Sequence, residues 1–262
     1  QLDHLSSCKS PQQMFGALVK NYLPGKIGVE AKNIFSVSIM PCTAKKYEMA
    51  RPEMESENGR DVDAVLTTRE AARLFRLKNI DLAKLSDEEF DSFMGEGTGA
   101  ARIFGTTGGV MEAAIRTVAW KLTGGEMDTI DYEAARGYRG VKEATLNING
   151  LEVKVAIVNG IKNDKDVMDD VRAGKSPYHF IEVMACPGGC LNGGGAPLLS
   201  EPVQVADRMK KMYDSDANNK IRRSHENVQV QKLYEEYLKE PCGHISHHLL
   251  HTHYVDRSGE VK

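Results

Sequence analysis

Three cysteines sit where a chain could hold an inorganic cluster. Cys186 and Cys190 are separated by Pro187, Gly188 and Gly189 and are followed by a triple glycine, Gly193 to Gly195. Glycine has no Cβ and tolerates positive φ, so backbone in such a loop can approach a bulky object closely. Thiolates, close backbone and amides free to bond sulfur are what an iron–sulfur cluster takes. The plain alternative is that the thiols pack as small apolar side chains and the glycines make a turn. Cys42 follows Met40-Pro41 much as Cys186 follows Met184-Ala185. Zinc competes as the metal, but structural zinc usually takes Cys-x-x-Cys pairs, and the chain has none. Lys45, three residues after Cys42, is either solvated or a donor to a negatively charged cluster ligand.

These residues must be positioned by the elements that precede them. Residues 180–185 are a short apolar run bounded upstream by Ser176 and Pro177, which reads as a buried strand. The β-branched run at 34–40 and the apolar run at 62–66 also read as strands, the second leading into a helix over 69–77. Ser10 is a candidate N-cap with Pro11 at the first helical position, and Met14, Ala17, Leu18 and Tyr22 fall on one face. Pro24-Gly25 should stop that helix. Residues 51–60 and 85–91 are polar and acidic and read as surface. A second glycine-dense loop, 95–109, opens a helix over 110–122. Such a loop can cradle a phosphate on free amides, yet it lacks both the Gly-Lys-Ser/Thr of a P-loop and a Gly-x-Gly-x-x-Gly spacing. Residues 144–158, with Asn149-Gly150 at the middle, predict a hairpin, followed by a helix over 163–173. Beyond residue 203 the chain reads as helical and peripheral, with its clearest helix over 226–238. The alternation predicts an α/β fold in which parallel strands empty into glycine-rich loops and chemistry gathers at their carboxyl ends. Cys42 and Cys186 both lie there.

The totals set bounds. A chain of 262 residues can form one large domain or two lobes. It is 41% hydrophobic and 27% charged, with no apolar run near membrane-spanning length. A net charge of −3 argues against a nucleic-acid surface. Five cysteines in so long a chain point to a reducing, cytoplasmic compartment rather than a disulfide scaffold. The chain begins at Gln1 rather than Met, with an amphipathic segment soon under way, so a piece of a longer protein is expected. Cys242, His244, His247, His248, His251 and His253 make the tail histidine-rich. His247 and His251, four apart, are the pair that could bind zinc there.

The segments Met40-Pro41-Cys42-Thr43-Ala44-Lys45-Lys46-Tyr47-Glu48 and Glu182-Val183-Met184-Ala185-Cys186-Pro187-Gly188-Gly189-Cys190 resemble two of the three signature motifs of the iron-only ([FeFe]) hydrogenases. The resemblance extends over nearly the whole chain, through Leu5 to Gln13, Phe104 to Glu112 and Ser224 to Asn227. It implies two α/β lobes, each with a mostly parallel sheet flanked by helices and an active-site cleft between them; we expect them at 1–125 and 126–262. It implies that Cys42, Cys186 and Cys190 are three of the four ligands of a [4Fe–4S] cubane, with Cys190 bridging to a two-iron unit. Lys45 would donate to a cyanide of that unit, and Met40 and Met184 would line its pocket with Phe104, Ser10 and Gln12 close by. Ser6 matches a hydroxyl of the family's proton path.

The resemblance is incomplete. The family's Thr-Ser-Cys-Cys-Pro motif, source of the fourth cubane cysteine and of a proton-relay cysteine, is absent from these residues. An apo, truncated fragment is therefore expected. Ala196 stands where the family usually has Gln, and Cys8, outside the ligand set, is expected to pack in the core. The implied function is reversible reduction of protons to dihydrogen in a hydrogenase. The implied partners are upstream iron–sulfur domains or electron-transfer subunits, linked to ferredoxin or NAD(P), and cluster-maturation proteins. The alternative is an iron–sulfur binding or assembly protein, or a hydrogen sensor, of the same fold.

Overall fold

Ser10 starts α1 (Pro11–Asn21) by accepting a hydrogen bond from the Gln13 amide, with Pro11 in the first turn where its missing N–H costs nothing. The helix does not stop at Pro24-Gly25. A second short helix, α2 (Leu23–Ile27), takes Pro24 into its own first turn, and the chain ends it at Gly28 with φ +68°. The computed structural model describes residues 1–91, 93–125, 129–137, 140–198 and 203–260. The chain divides into two compact units, Gln1–Glu89 with Gln231–Lys262, and Phe90–Val230.

In the first unit, β1 (Val37–Met40) and β4 (Ala64–Thr67) pair in parallel, Val37 opposite Ala64 and Met40 opposite Thr67. Between them lie α3 (Ala44–Met49) and the small antiparallel pair β2 (Glu55–Ser56) and β3 (Gly59–Arg60). Residues 51–60 are more than the surface excursion expected. Met54 is buried, and Glu53 is paired with Arg51 and Arg257. Burial pushes the Glu53 carboxyl up; its own backbone amide and the guanidinium groups of Arg257 and Arg51 outweigh that and hold it low. Thr67 and Glu70 form a reciprocal capping box at the start of α4 (Thr68–Leu77). α1 packs tightly on the segment before β4: a Cβ on Gly16 would lie 2.6 Å from the Asp61 carbonyl oxygen. Lys9 and Asp61, both buried, pair at 2.7 Å.

The returning segment completes this unit. The sequence reads one helix over 226–238, but α9 (Val228–Leu233) gives way to a π-helical turn at Tyr234–Leu238. α10 (His244–Leu250) follows, and the chain then pairs with residues 7–9 through Lys9 N–H to Leu250 O (2.9 Å) and Thr252 N–H to Ser7 O (2.7 Å). Cys8 lies in that pairing opposite His251 and is exposed, not in the core. As a bridge residue at the surface, it has one side facing solvent.

The second unit is built on a three-stranded sheet of order β5-β6-β7. β5 (Val141–Ile148) and β6 (Leu151–Asn159) are the predicted hairpin, with Asn149 at φ +52° and Gly150 at φ +80° in the two-residue turn. β7 (Phe180–Met184) runs parallel to β6 after the crossover helix α7 (Lys165–Arg172). The glycine-dense loop first forms a short helix, α5 (Gly99–Ile103), and then α6 (Gly109–Thr123). Met111, Ile115 and Ala119 of α6 pack with Ala144, Ile148, Val155 and Ile157 of the hairpin. The lobe boundary expected at residue 125 would separate α6 from this core and so falls inside the unit. Glu126, first residue of the expected second lobe, lies outside the described residues. α8 (Val203–Ala217) closes the unit, delivering Asp216 to the buried Arg116.

Candidate metal centre

In the first unit, β1 ends at Met40 and hands the chain through Pro41 to Cys42, which is half-buried and free. α3 begins two residues later and carries Lys45 and Glu48 on one face, three apart. Lys45 Nζ meets Glu48 Oε1 at 2.9 Å, and Ser10 Oγ donates to Glu48 Oε2 at 2.7 Å. Gln12 Nε2 donates to the Lys45 carbonyl (3.4 Å), while Gln12 Oε1 accepts from Ser38 Oγ (2.8 Å). The start of α1 and the start of α3 are thus tied together, which brings Ser10, Gln12, Lys45 and Glu48 into one network. Ser6 is engaged elsewhere. It is exposed, its hydroxyl oxygen accepts from the Cys8 amide (3.3 Å), and its carbonyl accepts from Tyr254 OH (2.8 Å). Glu48 was legible only as an acid three residues after Lys45; its role as the shared acceptor needed the position of Ser10.

In the second unit, β7 delivers Met184, Ala185 and then the Cys186–Cys190 loop. Both thiols are half-buried, and neither is in a disulfide. The Gly189 amide donates to the Cys186 carbonyl (2.9 Å), making the turn that sets the two cysteines. The Gly188 amide donates to Asn159 Oδ1 at the end of β6 (2.8 Å), a contact the sequence reading missed. The loop is laced to residues 105–107 by Thr107 N–H to Gly188 O (3.2 Å) and Leu191 N–H to Gly105 O (3.0 Å). This is what two of the glycines are for. A Cβ on Gly189, at φ +96°, would lie 2.7 Å from the Gly105 carbonyl oxygen and the Thr107 amide; on Gly188 it would lie 2.6 Å from Val205. The close approach read from the sequence is here an approach of the protein's own backbone. Phe104 precedes the laced segment and packs against Ala100, Ile103 and Ala113.

The amides at the start of α6 are already used. Gly108 N–H donates to Glu182 Oε1 (2.6 Å) and Met111 N–H to Glu182 Oε2 (2.7 Å), so an acid from β7 occupies the place a phosphate would take. The sequence signal was a lone glutamate in an apolar strand. Burial pushes the Glu182 carboxyl up, opposed by the amides of Met111, Gly108 and Val110 and by the Lys142 charge.

Among the described residues no group of three or more His, Cys, Asp or Glu side chains is gathered to hold a metal ion. The first unit carries one thiol after β1, and the second carries two after β7. Soft thiols on tight loops, without a Cys-x-x-Cys pair, suit iron–sulfur ligation better than structural zinc. In the tail, the His247 and His251 rings stack with centroids 4.5 Å apart, and His251 Nδ1 lies 2.8 Å from Ser7 Oγ.

Residues 1–194 match the family described as iron only hydrogenase large subunit, C-terminal domain. Residues 203–257, read in sequence as a peripheral tail, match a separate family, the iron hydrogenase small subunit. The chain is 46% identical over 257 residues to the NADP-reducing hydrogenase subunit HndD of Solidesulfovibrio fructosivorans, covering 98% of this chain and 44% of that protein. It is 55% identical over 207 residues to the periplasmic [Fe] hydrogenase large subunit of Nitratidesulfovibrio vulgaris, covering 79% and 49%. The cytosolic Fe-S cluster assembly factor narfl of Xenopus tropicalis is more distant, 31% identical over 97% of this chain and 54% of that one. Among solved structures, [FeFe]-hydrogenase HydA1 from Chlamydomonas reinhardtii matches with TM-score 0.82 and 38% identity, over 97% of this chain and 71% of that one. The chain spans about half the length of the curated relatives it matches. With the paired cysteine loop and the Cys42–Lys45–Glu48 arrangement in place, the chain belongs to the iron-only hydrogenases, as the C-terminal domain of the large chain continued by sequence like that of the small one.

Proposed function

We propose that the chain is the H-cluster domain of an [FeFe]-hydrogenase that interconverts protons and dihydrogen with electrons from iron–sulfur relays. The observation that carries this is Lys45 held by Glu48 on α3, three residues past Cys42 in the chain. Cys42, Cys186 and Cys190 would hold a [4Fe–4S] cubane, Cys190 bridging to the di-iron unit, with a fourth thiolate from outside these 262 residues. When bound, the cluster supplies redox-active iron with an open position where protons and dihydrogen interconvert. Lys45 presents N–H donors to an anionic ligand of that iron. Met40 and Met184 would supply polarizable, water-excluding side chains around that iron, with Phe104, Ser10 and Gln12 in the roles the family resemblance implies. Ser6 offers an exchangeable proton on the delivery path. Two α/β lobes bearing these residues fit the family reading. Electron partners are iron–sulfur domains or subunits, and the likeness to an NADP-reducing hydrogenase subunit supports a nicotinamide-linked route. Maturation proteins would supply the di-iron unit. Five cysteines, none of them in a disulfide, fit a reducing compartment such as the cytoplasm; no described helix is long and apolar enough to cross a membrane.

The test is to co-produce the complete protein carrying this sequence with maturation proteins under anaerobic conditions. Hydrogen evolution from a reduced dye, with infrared bands of iron-bound CO and cyanide, is the expected result. A stable cubane with neither would favour the assembly-protein reading, which the narfl likeness keeps in the comparison. In the same assay Glu48→Gln should lower hydrogen evolution about tenfold with iron content unchanged, because it releases a donor that a second residue had oriented. Activity equal to wild type would mean that Lys45 needs no such support.

A further inference from the structure

Glu182 is a buried acid that the cluster chemistry leaves without a task. It stands in the middle of β7 at 5% exposure, where a carboxylate is costly unless it is bonded. Both oxygens are bonded, and the donors, Gly108 N–H and Met111 N–H, lie 74 and 71 residues away in sequence. They belong to the start of α6, whose own N-cap position, Gly108, has no side chain to serve them. A strand therefore caps a distant helix. The charge sits at the positive end of the helix dipole, the favourable end for an anion.

The consequence reaches the cysteines. β7 runs from Glu182 through Met184 directly to Cys186. α6 is entered through residues 105–107, the segment that bonds Gly188 and Leu191. The carboxylate on one side and the two backbone bonds on the other close a frame around the Cys186–Cys190 loop. Thr107 O–H and Lys142 Nζ, buried in the same unit without hydrogen-bond partners, offer no substitute pin.

We propose that Glu182 is a positioning residue for the Cys186–Cys190 loop, a carboxylate on β7 that pins the start of α6 and so holds both thiols ready for a cluster. This rests on the reading of those cysteines as ligands, but its first test does not need a cluster. In the apo form of the complete protein, alkylation of each cysteine by iodoacetamide can be followed by peptide mass spectrometry. Glu182→Gln keeps the size but turns an N–H donor toward one of the two amides, so a bond is lost and a donor left unpaired. Alkylation of Cys186 and Cys190 should then rise about tenfold, with Cys42, in the other unit, unchanged. Glu182→Ala should raise it further; where that variant does not fold, the glutamine variant carries the test. Equal rates in wild type and Glu182→Gln overturn the proposal. A rise shared by Cys42 also overturns it, since that marks general loss of stability. After iron and sulfide reconstitution, the reduced cubane of Glu182→Gln should show an altered electron paramagnetic resonance signal. An unchanged signal overturns the link to the cluster. A wild type that takes up no iron while Glu182→Gln still exposes Cys186 and Cys190 sinks the ligand reading and leaves the pin standing.

Discussion

Cys186→Ala leaves the complete protein without a cubane, its iron falling by about four atoms per chain from the wild-type value. The thiolate is a ligand that no neighbour replaces, since no third metal-binding side chain is gathered beside Cys186 and Cys190 among the described residues. The loop itself should survive, because its turn is made by the Cys186 carbonyl and the Gly189 amide and its lace by Gly188 and Leu191, all backbone. The loss is therefore expected without a fall in the unfolding midpoint of the apo protein. Cys8→Ala is the matched control: that thiol is exposed, in an isolated bridge opposite His251, and iron and acid-labile sulfide should stay at wild-type level. Full iron in the Cys186→Ala protein would remove this residue from the site.

Arg116→Met has the largest expected effect on stability. The guanidinium is fully buried and bonds Glu112 Oε1 at 2.8 Å and both Asp216 oxygens at 2.7 and 2.8 Å, while Nε donates to the Ile130 carbonyl. Removing it strands two buried carboxylates, a loss of about 3–5 kcal/mol. Arg136 still reaches Glu112 and Arg222 still reaches Asp216, which places the expectation at the lower end. Burial pushes the Asp216 carboxyl up, but Arg116 and Arg222 more than reverse this and hold it below the usual range. A depressed folded-state pKa gives stability that is present above the unfolded pKa and lost as pH falls through the folded one. Without Arg116 that depression shrinks, so the gap between variant and wild type should be widest near neutral pH and narrow in acid. Urea unfolding at two pH values checks both the size and the sign. A constant gap would mean that Asp216 is not the group left uncompensated.

Much of the site could be read along the chain because its determinants are local. The thiols, the glycines between them and the strands that precede them lie within a few residues of one another. Ser10-Pro11 and Asn149-Gly150 act through their own φ/ψ preferences. The misreadings have a different cause. Pro24-Gly25 reads as a stop, but a proline in a first turn starts a helix as readily as it ends one. Residues 51–60 read as surface because acidic types dominate, yet Glu53 is held by Arg257, 204 positions away. The lobe boundary expected at 125 could not register that α6 packs on a hairpin formed later in the chain.

By itself, then, the sequence determined the family and the α/β class and singled out Cys42, Cys186, Cys190 and Lys45 as candidates for chemistry, because motif spacing and turn preferences are short-range. Only the tertiary structure decided which groups hold them. Glu48 joins Lys45 to Ser10, Asn159 fixes Gly188, and Glu182 caps α6 from another element. The bonds from Ser10 to Glu48, from Gly188 to Asn159 and from Met111 to Glu182 each span 29 or more residues. A polar side chain carries no mark in sequence of which distant amide or ammonium it will meet; that choice is made when burial withdraws water and leaves each buried donor and acceptor to the partner that packing brings.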